Sequence, residues 1–228
     1  MSFSFLGLSP TLLRALADQG FDTPTQVQLQ AVPLVLAGRD VLVSAETGSG
    51  KTLAFCLPVL QALAENQLPP AGRQRRVRAL ILVPTRELAV QIGEVARVLA
   101  RHEAQPVKVK VVFGGVSINP QMMGLRGGAD IVVATPGRLL DLIEHNALEL
   151  SAVQTLVLDE ADRLLDLGFE QELERILALL PAKRHNLFFS ATLPPTVQAL
   201  AAGLLKAPAR VDVAPSGSGH RCHRPAGD

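Results

Sequence analysis

The sequence predicts an α/β protein built on one mostly parallel β-sheet that is flanked by helices on both faces. Two observations predict this fold class. Segments of strand character alternate with segments of helical periodicity along most of the chain, which is the pattern of parallel strands joined by right-handed crossovers. Most strand candidates are also short continuous runs of Val, Leu and Ile, as expected of strands covered on both faces.

Strands and helices can be assigned in chain order. Six segments have strand character, at residues 41–44, 79–83, 107–113, 131–134, 156–159 and 187–190, and residues 210–213 are a further candidate. Helical periodicity occurs between them at residues 50–63, 86–102, 136–144, 170–179 and 194–205. Two helices, at residues 9–19 and 25–36, are expected before the first strand. Residues 66–78 contain two prolines, a glycine and four arginines, which indicates a surface loop.

Composition narrows the class of protein. The chain has 228 residues, 48% hydrophobic and 19% charged, which suits a folded globular domain. Its formal net charge of +1 excludes a global basic field, so any nucleic-acid site must be local. No apolar run is long enough for a membrane span and no signal peptide is evident, so we expect no membrane partner and a cytoplasmic location. Residues 214–228 lack apolar periodicity and are expected to be a disordered tail.

Residues 45–52 form a candidate phosphate-binding loop between the first strand and an apolar helix. Its members are Ala45, Glu46, Thr47, Gly48, Ser49, Gly50, Lys51 and Thr52. The two glycines allow backbone angles that let successive N–H groups converge on phosphate oxygens. Lys51 can reach the β- and γ-phosphates of a nucleoside triphosphate, and the Thr52 hydroxyl can bind Mg²⁺. The alternative is a glycine-rich turn that only opens a helix.

An acidic cluster follows the fifth strand, at residues 159–162. Asp159 stands at the strand end, where it can hold Mg²⁺ through water. Glu160 is the candidate to orient and deprotonate an attacking water. The alternative is that these carboxylates only open the next helix, where negative charge is favoured. Because the phosphate loop is also present, we prefer a catalytic role, with Lys51, Asp159 and Glu160 as the catalytic residues.

In their order along the chain these motifs resemble the DEAD-box ATP-dependent RNA helicases of bacterial type. Residues 159–162 read DEAD, residues 84–89 read PTRELA, residues 135–138 read TPGR, residues 190–192 read SAT, and Gly114-Gly115 matches the family's GG. Phe3, Gly20-Phe21, Pro24-Thr25 and Gln28 resemble its Q motif. The resemblance covers about residues 1–213. It implies a RecA-like P-loop NTPase domain at residues 37–213, with residues 1–36 as a Q-motif region packed on it.

For the nucleotide site, the resemblance implies ATP and Mg²⁺ as cofactors. The amide of Gln28 can pair with N6 and N7 of adenine, whereas guanine presents an acceptor where adenine has its amino group. Phe21 offers a ring face on which the base can stack. The alternatives are a polar helix residue for Gln28 and a core residue for Phe21. Glu46 stands where the family usually has glutamine.

For the second substrate, the resemblance implies RNA held by its backbone without base reading. The expected RNA-binding residues are Pro84, Thr85, Arg86, Gly115, Thr135, Pro136, Gly137 and Arg138. Most follow strand ends, where N–H, hydroxyl and guanidinium groups can meet phosphates. Residues 135–138 can also cap a helix, and the two roles are compatible. Asp162, Ser190 and Thr192 are implied to couple the nucleotide site to strand separation.

Two functions stay open at this point. The family continues into a second RecA-like domain that contributes arginines to the ATP site, and nothing after Val213 resembles it. The leading interpretation is an RNA helicase that hydrolyses ATP and locally opens RNA duplexes. The alternative is an isolated half-domain that binds ATP and RNA with little or no turnover. A DNA-translocating helicase or another P-loop ATPase is disfavoured by Gln28 together with residues 159–162.

Overall fold

Seven strands form one parallel sheet in the computed structural model, which describes residues 2–66 and 75–213. The strands are β1 (Val41–Ser44), β2 (Ala79–Leu82), β3 (Val109–Val112), β4 (Ile131–Ala134), β5 (Thr155–Leu158), β6 (His185–Ser190) and β7 (Ala209–Asp212). Their order across the sheet is β3-β4-β2-β5-β6-β1-β7, and every neighbouring pair is parallel. The predicted fold class is confirmed.

Nine α-helices flank the sheet within the described residues. They are α1 (Pro10–Asp18), α2 (Gln26–Leu36), α3 (Lys51–Glu65), α4 (Arg86–Ala100), α5 (Asn119–Gly124), α6 (Pro136–Glu144), α7 (Ala161–Asp166), α8 (Glu170–Leu179) and α9 (Pro195–Leu204). A 3₁₀ turn at Phe3–Leu6 precedes them. The sequence did not predict this turn, α5 or α7, because each is at most six residues long and too short for a periodic pattern. No described helix is both long and apolar enough to span a bilayer.

Apolar side chains cover both faces of the sheet. Along β2, Ala79 and Ile81 belong to one apolar core with α1 to α4, whereas Leu80 and Leu82 belong to the other with α6 to α9. All four are buried, which explains why this strand shows no polar alternation in the sequence. Burial on both faces therefore confirms the basis on which the strands were predicted.

The largest difference from the predicted strands is at β3, which is four residues long instead of the predicted seven. β3 is an edge strand, with β4 as its only neighbour in the described sheet. Beyond its two ends, side chains bind the backbone instead. The Lys108 N–H donates to the Asp130 carboxylate at 2.7 Å, and the Phe113 N–H donates to the Gln121 amide oxygen at 3.1 Å.

The predicted tail, residues 214–228, and residues 67–74 of the predicted loop lie outside the described residues.

Asp40 joins the amino ends of β1, β6 and β7, at the edge of the sheet opposite the predicted site. One carboxylate oxygen accepts the Asn186 N–H at 2.8 Å. The other accepts the Lys206 N–H at 2.8 Å and the Asn186 side-chain amide at 3.2 Å. Asp40 and Asn186 are both buried, so these donors have little access to water. Asp40 thus fixes the strand pair that carries the phosphate loop.

We expect Asp40→Ala to lower the free energy of unfolding by about 2–4 kcal/mol, because it leaves buried donors without acceptors. Urea denaturation measures this loss. Asp212→Ala is the matched control. Asp212 is exposed on β7, and within residues 2–66 and 75–213 its one ion pair is with exposed Arg210, so its loss should change stability by less than about 0.5 kcal/mol. Equal effects of the two substitutions would contradict the assigned role of Asp40.

Candidate active site and nucleic-acid interface

The predicted site residues gather at one edge of the sheet. Because all seven strands are parallel, their carboxyl ends share this edge, where ligands of open α/β sheets bind. The phosphate loop follows β1, Asp159 follows β5 and Ser190 ends β6, and these three strands are adjacent in the order β5-β6-β1. Thr85 and Thr135 follow β2 and β4, on the other half of the same edge.

The phosphate loop bends through two glycines in the left-handed region. Gly48 has φ +82° and Gly50 has φ +94°, and α3 begins at Lys51 directly after them. A Cβ added to Gly48 would meet nothing within 4 Å, so this part of the loop borders open space. A Cβ added to Gly50 would lie 2.6 Å from the Gln28 side-chain nitrogen. Gly48 therefore leaves room for a ligand, and Gly50 allows close packing on α2.

Lys51 is buried beneath this loop, with 6% of its surface exposed. Its Nζ donates a hydrogen bond to the Ala45 carbonyl at 2.7 Å, which joins the two ends of the loop. Asp159 at the end of β5 is only 2% exposed. Burial raises the pKa of Asp159 from 3.8 to about 6, and the nearby Lys51 charge lowers it in the opposite direction. A buried carboxylate with an elevated pKa favours a bound cation.

The residues present fit a magnesium–nucleotide complex. Asp159 offers a buried carboxylate whose Oδ1 accepts the Glu160 N–H at 2.9 Å, and Thr52 offers a half-buried hydroxyl in the first turn of α3. Carboxylate and hydroxyl oxygens are ligands that Mg²⁺ prefers. Open space at Gly48 and the amino terminus of a 15-residue helix suit phosphate oxygens.

Glu160 has an unusual backbone conformation. Its φ of 49° and ψ of 51° place it in the left-handed region, which a non-glycine residue adopts at a cost. The Asp159 carboxylate accepts its N–H, and its side chain lies 3.3 Å from Arg163 in the next turn. Glu160 is the residue before α7, so its side chain belongs to the turn between β5 and α7 and not to a regular helix.

Asp162 is joined to the end of β6. Its Oδ2 accepts hydrogen bonds from the Thr192 N–H at 2.9 Å and from the Thr192 hydroxyl at 2.8 Å. The Ser190 hydroxyl accepts the Asp162 N–H at 3.1 Å and donates to the Thr192 carbonyl at 2.7 Å. Partial burial opposes ionisation of Asp162, but these hydrogen bonds lower its pKa below the usual value. The structure thus brings together the three residues predicted to couple the two sites.

The two residues predicted to bind adenine, Phe21 and Gln28, precede the loop in the chain. Phe21 has 43% of its surface exposed, so the alternative of a core residue is wrong. Gln28 is 2% exposed, and its amide oxygen accepts the Thr25 N–H at 2.9 Å while its amide nitrogen donates to the Gly50 carbonyl at 3.0 Å. Gln28 therefore connects α2 directly to the phosphate loop, a contact that the sequence did not predict. Its pairing with adenine remains a prediction.

The predicted RNA-binding residues differ in exposure. Arg86 and Gly115 are exposed, Thr85 and Gly137 are half-buried, and Pro84, Thr135, Pro136 and Arg138 are buried. Thr85 caps α4, because its hydroxyl accepts the Leu88 N–H at 3.3 Å. Thr135 precedes α6, whose first residue is Pro136, so the predicted capping role of residues 135–138 is confirmed in position, although the Thr135 side chain makes no capping hydrogen bond.

Arg138 holds the loop that contains Gly115. It is 8% exposed, donates to the Val116 carbonyl at 2.7 Å and lies 3.6 Å from Asp141. Its Nε and Nη1 are buried and make no hydrogen bond to any described residue. Sequence reasoning missed two residues that contact the predicted sites: Gln121, which binds the backbone of Phe113, and Arg163, which pairs with Glu160 in the acidic cluster. Neither residue belongs to a motif that could have identified it.

The fold and site together define a RecA-like P-loop NTPase domain. The family model for DEAD/DEAH box helicases matches residues 25–200. The chain is 43% identical over 214 residues to the DEAD-box ATP-dependent RNA helicase CshA of Streptococcus pneumoniae, which covers 94% of this chain and 39% of that protein. It is 43% identical over 212 residues to the RNA helicase CrhR of Synechocystis, covering 93% of this chain and 41% of that protein.

A solved structure agrees with these sequence relatives. The crystal structure of a DEAD box protein from the hyperthermophile Methanococcus jannaschii superposes with a TM-score of 0.83 at 36% identity, and the match covers 93% of this chain and 56% of that one. The chain therefore belongs to the DEAD/DEAH box helicase family. It spans about two fifths of the length of these two bacterial helicases.

Replacing Gly50 by alanine tests the packing of the loop on α2. Both Gly50→Ala and Gly48→Ala place a side chain at positive φ, which costs about 1 kcal/mol or more. Only Gly50→Ala also brings a Cβ to 2.6 Å from Gln28 and 2.7 Å from Thr25. Urea denaturation should show that Gly50→Ala loses about 1–3 kcal/mol more than Gly48→Ala. Equal losses would show that the Gln28 contact does not constrain the loop.

The raised pKa of Asp159 predicts a pH-dependent stability. The native pKa of about 6 lies above the unfolded value, so the native state binds more protons between pH 4 and pH 6 and loses stability as the pH rises through this range. In metal-free buffer, Asp159→Asn should match the parent chain near pH 4. It should be more stable by about 2 kcal/mol at pH 8. Urea denaturation across this range measures the difference, and a difference that is constant with pH would exclude the assigned pKa.

Proposed function

We propose that this chain is the ATP-binding domain of an ATP-dependent RNA helicase, which hydrolyses ATP to open RNA duplexes locally. The observation that carries the proposal is the pair of buried charges Lys51 and Asp159 under a phosphate loop. Burying two charged groups is costly unless they bind a ligand or interact with each other. Both groups lie at the edge of the sheet where we expect the triphosphate to bind. Family membership supports the same activity, since the relatives are named RNA helicases.

The nucleotide is held from the carboxyl ends of β1 and β5. Backbone N–H groups of residues 45–52 and the Lys51 ammonium bind the phosphates, while Phe21 and Gln28 select adenine. Gln28 can do so by giving up its bond to the Gly50 carbonyl, which makes base recognition sensitive to the loop. Thr52 and Asp159 would hold Mg²⁺, which would neutralise charge on the phosphates.

Glu160 is assigned to the attacking water. Its strained backbone conformation places Glu160 directly before α7 and next to Asp159 in the chain. Backbone strain of this kind is common at functional sites. A carboxylate in that place accepts the water proton as the water oxygen bonds to the γ-phosphorus and the bond to the β-phosphate oxygen breaks, which releases ADP and phosphate. The ion pair with Arg163 limits the orientations that the Glu160 side chain can adopt.

RNA is bound at the half of the edge formed by β2, β3 and β4. The amino termini of α4 and α6 and the exposed turn at Gly115 present N–H groups, and Arg86 and Arg138 supply cationic groups. These groups recognise phosphates and do not read bases, so binding is sequence-tolerant. Asp162 connects the two sites, because its hydrogen bonds to Ser190 and Thr192 join the helix after Glu160 to β6.

A second candidate function is a binding module with little turnover. The chain matches 39–41% of the length of two curated helicases, so turnover has to be measured on the chain itself. In this case the chain binds ATP and RNA but does not hydrolyse ATP at a useful rate. A steady-state ATPase assay of the chain with and without RNA separates the candidates, since RNA-stimulated turnover occurs only in the first. Competition by DNA of equal sequence tests whether RNA is the preferred strand.

Glu160→Gln should reduce kcat for ATP by at least about 100-fold, because the amide cannot accept the water proton. ATP affinity, measured by calorimetry, should stay within about twofold of the parent value. Glu174→Gln on α8 removes the same charge at an exposed position and should leave both quantities unchanged. Turnover that survives Glu160→Gln would reject the role of Glu160, and a parent chain without turnover would favour the binding module.

A further inference from the structure

Arg86 has a cationic group at an electrostatically unfavourable place. It is the first residue of α4, where the positive end of the helix dipole repels a cation. Its side chain is exposed, and it takes part in none of the ion pairs within residues 2–66 and 75–213. A guanidinium in this position is stabilised when an anion binds beside it, so its orientation before binding matters.

The ring of Phe113 lies against this guanidinium. The Arg86 Cζ is 4.8 Å from the ring centroid, within the range of a cation–π interaction. Phe113 is the first residue after β3, and two glycines follow it. The contact therefore joins the start of α4 to the turn that carries Gly115. It also offsets part of the repulsion that Arg86 experiences at the helix terminus.

The backbone of Phe113 is fixed by a side chain. Gln121 on α5 accepts the Phe113 N–H through its amide oxygen at 3.1 Å and donates its amide nitrogen to the Phe113 carbonyl at 3.0 Å. The two hydrogen bonds replace the partner strand that an edge strand lacks on its outer side. Because both backbone groups are bound, the direction of the Phe113 ring is restricted.

The following turn is anchored at its far end as well. Gly115 has φ +79°, and the next residue, Val116, accepts a hydrogen bond from Arg138 at 2.7 Å. The turn is thus held at Phe113 by Gln121 and at Val116 by Arg138. Arg86, Gly115 and Arg138, three expected phosphate contacts, are connected through this one turn.

We propose that Phe113, with its backbone fixed by Gln121, is a positioning residue that holds the Arg86 guanidinium ready for an RNA phosphate. The inference rests on the proposed RNA-binding function and adds two residues, Phe113 and Gln121, to the interface. Neither touches RNA in this proposal. Both act through Arg86, and pre-organising a long side chain in this way reduces the ordering cost of binding.

The test is a double-mutant cycle on RNA affinity. Fluorescence anisotropy with a labelled single-stranded oligouridine at low salt should show that Phe113→Leu weakens binding about two- to five-fold, the size of an exposed cation–π contact. Phe113→Tyr keeps the ring and should bind like the parent chain. In an Arg86→Ala background, Phe113→Leu should have no further effect. Phe5→Leu makes the same change at an exposed, distant phenylalanine and is the control.

Gln121→Ala provides a second variant that keeps the ring. It should weaken binding in the parent background and have no effect in the Arg86→Ala background, so the proposal stays testable even if Phe113→Leu does not fold. A readout without RNA is the NMR chemical shift of the Arg86 Nε–H proton. The Phe113 ring should move this shift away from the value of an arginine with no ring beside it, and Phe113→Leu should return it to that value.

The outcomes distinguish the positioning role of Phe113 from the proposed RNA binding. If the parent chain binds RNA but Phe113→Leu and Gln121→Ala bind equally well, the positioning role is overturned while the proposed function stands. Equal losses with and without Arg86 would show that Phe113 acts independently of Arg86, which also overturns it. A parent chain that fails to bind RNA at low salt overturns the proposed RNA binding, and the positioning role with it.

Discussion

The buried ammonium of Lys51 is the constraint on which the rest of the site depends. A cation without water needs compensating groups, and Lys51 finds the Ala45 carbonyl at 2.7 Å and the nearby carboxylate of Asp159. These residues follow β1 and β5, which are separated in the sheet by β6. The Lys51 charge nevertheless lowers the pKa of Asp159, so the two groups interact electrostatically. Burial still raises the pKa of Asp159, so the attraction of Lys51 offsets only part of the free-energy cost of burying the carboxylate. A further cation beside Asp159 would therefore be favourable.

Strand order divides the carboxyl edge of the sheet into two continuous halves. The predicted nucleotide-binding residues follow β5, β6 and β1, and the predicted RNA-binding residues follow β3, β4 and β2. The halves meet where β2 pairs with β5. Asp162 follows β5 and binds Ser190 and Thr192 at the end of β6, so a shift of α7 must disturb these hydrogen bonds. We therefore expect a change at the predicted phosphate site to affect the end of β6 through these hydrogen bonds.

The features that the sequence predicted are local in the chain. Strands β1 and β4 and helices α6 and α8 have the predicted bounds, because an apolar run or a capping pattern specifies each of them. Strand order and the contact of Gln28 with Gly50 depend on residues far apart in sequence. The contact of Gln121 with Phe113 spans only eight residues, but no motif distinguishes this glutamine from others in the sequence. The shortening of β3 has the same origin, since Asp130 and Gln121 take the backbone groups at its ends. The phosphate loop was predictable because its whole mechanism lies within eight residues.

The most direct test of the Lys51-centred site is isothermal titration calorimetry of the chain with Mg²⁺·ATP. We predict saturable binding by the parent chain and an affinity at least about tenfold lower for Lys51→Met, because the substitution removes the charge that faces the phosphates. Lys183→Met, an exposed lysine before β6, should bind like the parent chain. Equal affinity of Lys51→Met and the parent chain, or no binding by the parent chain, would contradict the account.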